Sequence, residues 1–430
     1  MKKAFLTLTL ALGIVKATSV YGQTLSFSQT SVEATYGYAF EAPTLTTQPA
    51  ELSGITYTSS NNDVAVIDDN GQVTITGPGT ATITATCGSS QASYTINAHT
   101  NLEGIFALVA FYDGKYHALS TEVTSANPKG IEVNVINGRV IISTMTPYNY
   151  NEIAWKIAKE GDEYKITNGN FYLSSPSDNS NIRLNTTKNL WSYKEKYNYI
   201  CKNDNNGNTI RFIQLSKTVA NSFENLGKGY GKEGAVAHPM LIDFEVPISS
   251  VGYSTFYIDY PTKVPEGMTA YTITEENNNY LTRTKIEDII PAKTGVLLKA
   301  EEGTYTMAAQ YANSYQDVSN NLLKGSVTEG TTTGGNLYYK LTYGSTDGYT
   351  DKFGFYWGED AGAAFTMPAF KAYLALTNSN VKGLTIEDLE SGICITKEKL
   401  SEVQTYDLFG RKVNKTSKGI YIKNGKKVLF

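Results

Sequence analysis

The sequence predicts an all-β chain of several modules, and three observations carry that expectation. Apolar residues recur at every second position over short runs, the period that places them on one face of a strand. Clusters of Gly, Asn, Asp and Pro interrupt those runs as turns would. The 430 residues include 31 Tyr and 37 Gly and show few helical periodicities, a composition suited to strands joined by turns. At about 100–200 residues per domain, a chain of this length divides into roughly two to four units, each able to bury its own core.

The clearest pattern runs over residues 57–85, YTSSNNDVAVIDDNGQVTITGPGTATITA. Val64 and Val66, then Val73 and Ile75, alternate on either side of Asn70-Gly71. Asn-Gly between two such runs predicts a type I′ hairpin, in which both central residues need φ > 0. Pro78-Gly79 makes a second turn into Ala81, Ile83 and Ala85, and Ala92, Tyr94 and Ile96 alternate before His99. This stretch resembles the bacterial Ig-like group 2 family, whose members commonly serve as spacer or adhesion modules on secreted proteins. The resemblance implies an Ig-like sandwich over residues 23–98, of about seven short strands, without the paired cysteines and core Trp of antibody domains.

Lys2 and Lys3 precede an apolar run from Ala4 to Val15, and Val20-Tyr21-Gly22 follows with the character of a cleavage site. Residues 1–22 therefore read as a secretory signal peptide. The run is too short to span about 30 Å of hydrocarbon, and no later segment resembles it. The expected product is a soluble, exported protein with no transmembrane span. The formal charge of −4 becomes more negative once Lys2, Lys3 and Lys16 are removed, which disfavours nucleic acid as a partner. Cys87, Cys201 and Cys394 fall in three different predicted modules. They show neither metal-ligand spacing nor a disulfide framework, and read as small buried thiols.

Residues 101–243 change in texture. Phe106 to Leu108 is followed by Gly114-Lys115-Tyr116, Tyr164 to Ile166 by Gly169-Asn170-Phe171-Tyr172-Leu173, and Tyr199-Ile200 by Gly207-Asn208-Thr209-Ile210. Three copies of strand, glycine turn, strand predict a β-trefoil-like module, with a plain sandwich as the alternative. GNFYLSS resembles the turns of ricin-type and related trefoils, although the QxW repeats of ricin-type lectins are absent. An exposed indole would give a sugar ring an apolar face. Ile153, Trp155 and Ile157 share one side of a strand and point to a core. Trp191 and Tyr193, among mixed neighbours, stay open between core packing and a ligand-binding surface.

Residues 244–392 carry VGYSTFYIDY, IIPAKTGVLLK and FKAYLAL, phrases similar to a β module of secreted Bacteroidetes proteins whose role is generally unknown. Phe256, Ile258 and Tyr260 alternate as in a half-buried strand, and the module is expected to be sandwich-like. Residues 393–430 form a short β tail. Its phrases TYDLFGRKV and GIYIKNGKKV resemble the end of type IX secretion sorting domains, which implies an outer-membrane secretion machinery as a partner. A solvated basic edge is the plainer reading of the same residues.

No catalytic residue, cofactor or metal ligand is expected. GKGYGKEG at 227–234 contains GxGxxG, but Pro239 and the β surroundings favour a surface loop over a phosphate cradle. The Asp- and Asn-rich loops at 68–71 and 203–208 lack the spacing of a calcium loop. Trp357 with Glu359 and Asp360 is an aromatic-plus-acid cluster, but adjacent residues on a strand face opposite ways. His99, His117 and His238 are isolated, and no HExxH, GxSxG or P-loop occurs. The function expected is a non-catalytic secreted or cell-surface protein, outer-membrane associated or alternatively periplasmic, that binds a glycan or protein ligand. An extracellular enzyme such as a glycoside hydrolase is the alternative.

Overall fold

The structure, a computed structural model, describes residues 22–50, 52–124, 127–143, 146, 148–175, 181–203, 209–216, 223–226, 235–276, 280–346, 349–379, 381–386, 393–394, 405–406, 412–413, 420–423 and 426–429. It is almost entirely β, as expected. The proposed signal peptide, apart from Gly22, and the loop at 227–234 lie outside the described residues, as does nearly all of the loop at 203–208. Two compact units emerge, one of residues 1–101 with 193–199, the other of residues 102–192 with 200–430.

The first unit contains the Ig-like module. Gly79–Cys87 and Ser90–Thr100 form its central hairpin, with Ala81, Ile83, Ala85 and Cys87 buried on one strand and Tyr94, Ile96 and Ala98 on the other. Thr56–Ser59 pairs antiparallel with the first of these strands and Ser31–Tyr36 parallel with the second. Thr24–Phe27 pairs with Leu45–Gln48, and the Phe27 ring meets Tyr94 edge-on at 4.8 Å. Pro78-Gly79 turns as expected. Gly79 has φ 131°, and a Cβ there would come within 2.9 Å of Val64.

The Asn70-Gly71 turn is not type I′. Ala65–Ile67 and Val73–Ile75 do pair, but only Gly71, at φ 82°, is left-handed, while Asn70 is not. The cause is Asp68. Its carboxylate accepts from the backbone N–H groups of Asn70 and Gln72 at 2.9 and 2.7 Å, and Gly71 N–H donates to the Asp68 carbonyl. This Asx-type bonding makes a longer loop around one left-handed glycine. Two-residue turns with both φ positive occur elsewhere, at Asp113-Gly114 (52°, 76°) and Asn137-Gly138 (50°, 71°), where the flanking residues pair directly.

In the second unit, Gly104–Tyr112, Lys115–Thr124, Asn127–Ile136 and Arg139–Ser143 run as an antiparallel meander. Trp155–Glu160 pairs back onto Gly104–Tyr112, setting Trp155 opposite Phe106. Glu163–Asn168 pairs with Leu190–Lys194, setting Trp191 opposite Tyr164. Inside that second pair lies the smaller one of Phe171–Ser174 with Arg183–Asn185. His238–Met240 then returns onto Gly104–Tyr112. The Trp155 indole N–H donates to the Leu119 carbonyl and that of Trp191 to Leu173, both at 2.8 Å. Leu119-Ser120, Leu173-Ser174 and Leu215-Ser216 are all buried, so one local arrangement recurs along the region.

The expected boundary at 243/244 falls within the strand Ile242–Ile248. That strand pairs parallel with Arg139–Ser143 and antiparallel with Gly303–Met307, continuing the sheet into the third region. At this junction Arg139 donates to Asp243 at 2.8 Å, with the Asp243 side chain buried and that of Arg139 12% exposed. Asp243 also accepts from Ala309 N–H at 2.8 Å. Beyond it stand two five-stranded sheets. Ile273, Leu281 and Leu297 on one meet Tyr339, Phe355 and Leu374 on the other in a single core, which makes a sandwich. The tail strands Thr405–Tyr406, Lys412–Val413, Ile420–Lys423 and Lys426–Leu429 form a sheet of their own, the last two as a hairpin.

Candidate functional site

Trp191 is fully buried. Besides its bond to Leu173, it has the Lys202 ammonium 4.6 Å from its ring centroid, and burial pushes the Lys202 amine down to about 8. The ring therefore has no face to offer a ligand, a correction to the ligand-binding expectation. The cause lies in the inner strand pair, whose Leu173 carbonyl takes the indole proton that solvent would otherwise satisfy. Tyr193 is half-buried, and its hydroxyl donates to Asn198 Oδ1 at 2.9 Å. Trp155 and Ile157 are buried on one face of the strand Trp155–Glu160, as expected, whereas Ile153, also buried, ends the short helix Tyr150–Ile153 and is not part of that strand.

Trp357 is half-buried against the sandwich core. Glu359 and Asp360 lie exposed at the start of the 3-10 turn Asp360–Gly362, and do not oppose one another across a cleft. His117 is buried and His238 half-buried. His99 is exposed between two carboxylates, with Nε2 3.0 Å from Glu33 and Nδ1 3.4 Å from Glu195. Hydrogen bonding to Glu33 chiefly raises the His99 pKa, with Glu195 adding to it. Asn97 and His99 lower that of Glu33. Among the described residues no group of three or more His, Cys, Asp or Glu is placed to hold a metal ion.

A cleft of about 340 Å³ opens in the sandwich region, lined in part by Tyr257, Lys293, Ser319, Lys324, Thr333 and Tyr373. Each wall is fixed separately. Lys293 is left-handed at φ 60°, with its N–H donated to the Ile258 carbonyl at 2.9 Å. Buried Asn321 accepts from Ile273 and Leu323 N–H and donates to the Gly295 carbonyl. Lys324 Nζ donates to the Asn321 carbonyl at 3.1 Å. Tyr373 donates to the Thr333 carbonyl at 3.1 Å and its oxygen accepts from Thr333 N–H at 2.9 Å. Gly325 lets the Tyr257 ring lie on the backbone, since a Cβ there would be 2.6 Å from that side chain. Burial, with smaller effects from Asp259 and Tyr373, raises the Tyr257 pKa. In the sequence, Pro291-Ala292-Lys293-Thr294-Gly295 stands out only as part of the IIPAKTGVLLK phrase, and only the fold joins it to residues 319–334 and Tyr373.

A family model, the intimin immunoglobulin-like domain, matches residues 53–89. These residues include the strands from Thr56–Ser59 to Gly79–Cys87, so the match falls on the Ig-like module. A comparison with curated proteins found no match. No helix among the described residues is long and apolar enough to cross a membrane. The findings support an Ig-like domain at the N-terminal end of an almost all-β chain.

Proposed function

We propose that this chain is a non-catalytic, exported binding protein of adhesion type, displayed at or near the cell surface, with glycan or protein ligands. The observation that carries the reading is the intimin-like match on residues 53–89, which falls on the strands of the Ig-like module. Rigid β modules give spacing, and their loops give recognition surface. Residues 23–98, 101–243, 244–392 and 393–430 serve as the working divisions. The middle region is trefoil-like, a reading supported by its recurrent tryptophan-to-carbonyl bonds and by the return of His238–Met240 onto Gly104–Tyr112. Within it Tyr193, half-buried, remains a candidate contact, while Trp191 serves the core. Residues 1–22 direct export, and the basic tail is read by an outer-membrane secretion machinery.

The test applies the full secreted chain to arrayed glycans and to immobilised matrix and cell-surface proteins. Saturable retention with the ligand recovered intact supports the reading. No retention on any surface, or release of cleaved product, would overturn it. Deleting residues 405–430 in the native host should trap the protein in the periplasm, and unchanged surface display would remove the sorting role.

A further inference from the structure

The cleft in the sandwich region has the makings of a ligand site. At about 340 Å³ it sits at the small end of the range of ligand pockets, sized for one small molecule or the terminal unit of a longer chain. Its lining is asymmetric in charge, with Lys293 and Lys324 and no Asp or Glu. Neither lysine makes a salt bridge among the described residues. The negative group that acts on Tyr257 from outside the lining, Asp259, is already taken up by the Tyr150 hydroxyl.

Two features make this more than a surface dent between flexible lysines. Lys293 is held in a left-handed conformation by the Ile258 carbonyl, a strained backbone that the surroundings must impose and that concentrates at ligand sites. Gly325 allows Tyr257 to stand against the backbone, and the tie between Tyr373 and Thr333 locks the opposite wall. The result is the half-buried Tyr257 ring, Lys293, Lys324 and Thr333 around one cavity, with Tyr373 buried behind it and the Ser319 hydroxyl bonded to Asp317. Aromatic faces pack against the C–H face of a sugar ring, hydroxyls exchange hydrogen bonds with its hydroxyls, and ammonium groups select a carboxylate.

We infer that the cleft bounded by Tyr257, Lys293, Lys324, Thr333 and Tyr373 binds a carboxylate-bearing sugar, as the terminal unit of an acidic glycan. This deepens the binding reading above, and it places an anion site in the sandwich region rather than in the middle one. The lysines supply charge selection, and half-buried Tyr257 supplies the surface on which the ring rests, while buried Tyr373 backs the opposite wall.

The experiment titrates the full chain with D-glucuronate and with N-acetylneuraminate, using D-glucose and N-acetylglucosamine as neutral controls, and reads binding by ligand-observed NMR. At least one acidic sugar should bind saturably, more tightly than the neutral ones, and weaken as salt rises. The Lys293→Asn/Lys324→Gln variant should bind about tenfold more weakly or worse. Asn is chosen because it tolerates the left-handed backbone, and an unchanged melting curve shows that the fold persists. Should that variant unfold, the salt and neutral-sugar comparisons on the unaltered chain decide the matter alone. Absence of binding by both acidic sugars, equal binding of the neutral ones, or unchanged affinity in the folded variant would overturn the inference. Retention on protein surfaces without acidic-sugar binding would leave the adhesion reading standing and remove the cleft. Acidic-sugar binding without retention on any array would do the reverse.

Discussion

The Ig-like module and the second unit are built from the same short strands, yet they are held together differently. The module's core mixes small side chains, Ala34, Ala65, Ala81, Ala85 and Ala98, with Ile83, Tyr94 and Ile96 and buries no tryptophan, and its ion pair of Glu33 with His99 lies at the surface. The second unit buries Trp155, Trp191, Phe106, Tyr339 and Phe355, and it buries a charge pair, Arg139 with Asp243. In a small sandwich, side-chain alternation alone chooses which face goes inward. In the larger unit, strands distant in sequence must find one register, and buried polar bonds reject the others because a mispaired partner would be left unsatisfied.

If that contrast holds, the largest effect should follow from breaking the buried pair. Arg139→Met leaves Asp243 buried without its cation and should cost about 3–5 kcal/mol, while Arg139→Met with Asp243→Leu should recover much of the loss. All three tryptophans lie in the second unit, so denaturation followed by tryptophan fluorescence reads this unit alone. A loss under about 1 kcal/mol in the single variant would mean that the pair does not organise the junction.

Trp191→Phe keeps an aromatic body but leaves the Leu173 carbonyl without its donor, at a cost of about 1–3 kcal/mol. The same denaturation curve measures it. An unchanged midpoint would return Trp191 to the surface and reopen its role as a ligand contact.

In the module, Gly71→Val forces a β-branched residue into φ 82° and brings a Cβ to 2.9 Å from the Tyr57 ring. A cost of about 1–2 kcal/mol is expected, read as faster hydrogen exchange across Gly79–Cys87 and Ser90–Thr100. Protection equal to that of the unaltered chain would show that the loop around Asp68 is not part of the cooperative unit.

The smallest effect belongs to His99. Its folded pKa is raised above 6.5, so its contribution is full below that value and is lost as pH rises through the raised one. Glu33 is lowered below 4.5, so its contribution is present above 4.5 and is lost as pH falls through the lowered value. Between those limits the imidazolium donates to Glu33 and Glu195 together. The protection factors of residues 195–199, taken against the intrinsic exchange rate at each pH, should fall at the alkaline edge, and His99→Gln should abolish that fall. Protection factors independent of pH in the unaltered chain would show that His99 does not bridge the two carboxylates.

What the sequence disclosed follows the same division. Alternation at Ala81, Ile83 and Ala85 and at Tyr94 and Ile96 is local, and the structure buries those positions. Turn chemistry was legible to the dipeptide but not to its setting. Asp113-Gly114 and Asn137-Gly138 make two-residue turns, whereas Asn70-Gly71 does not, because Asp68 captures the backbone N–H groups first. Trp155 declared itself through Ile157, two residues on along the same strand. Trp191 did not, because its partner carbonyl is on Leu173, in a different strand pair. Nothing local marks Arg139 and Asp243 as partners, nor the cleft between Lys293, Lys324 and Tyr373, since both are assembled only by long-range pairing.

The most direct test of the central claim, that this chain binds and does not transform its ligand, is one sample read twice. The full chain is incubated with a mixed pool of end-labelled glycans, the retained fraction is collected, and retained and free pools are analysed by mass spectrometry. The account predicts a retained subset of unchanged mass, displaced by excess unlabelled ligand and absent from a heat-denatured control. Shortened glycans accumulating with time in the free pool, and absent from that control, would contradict it.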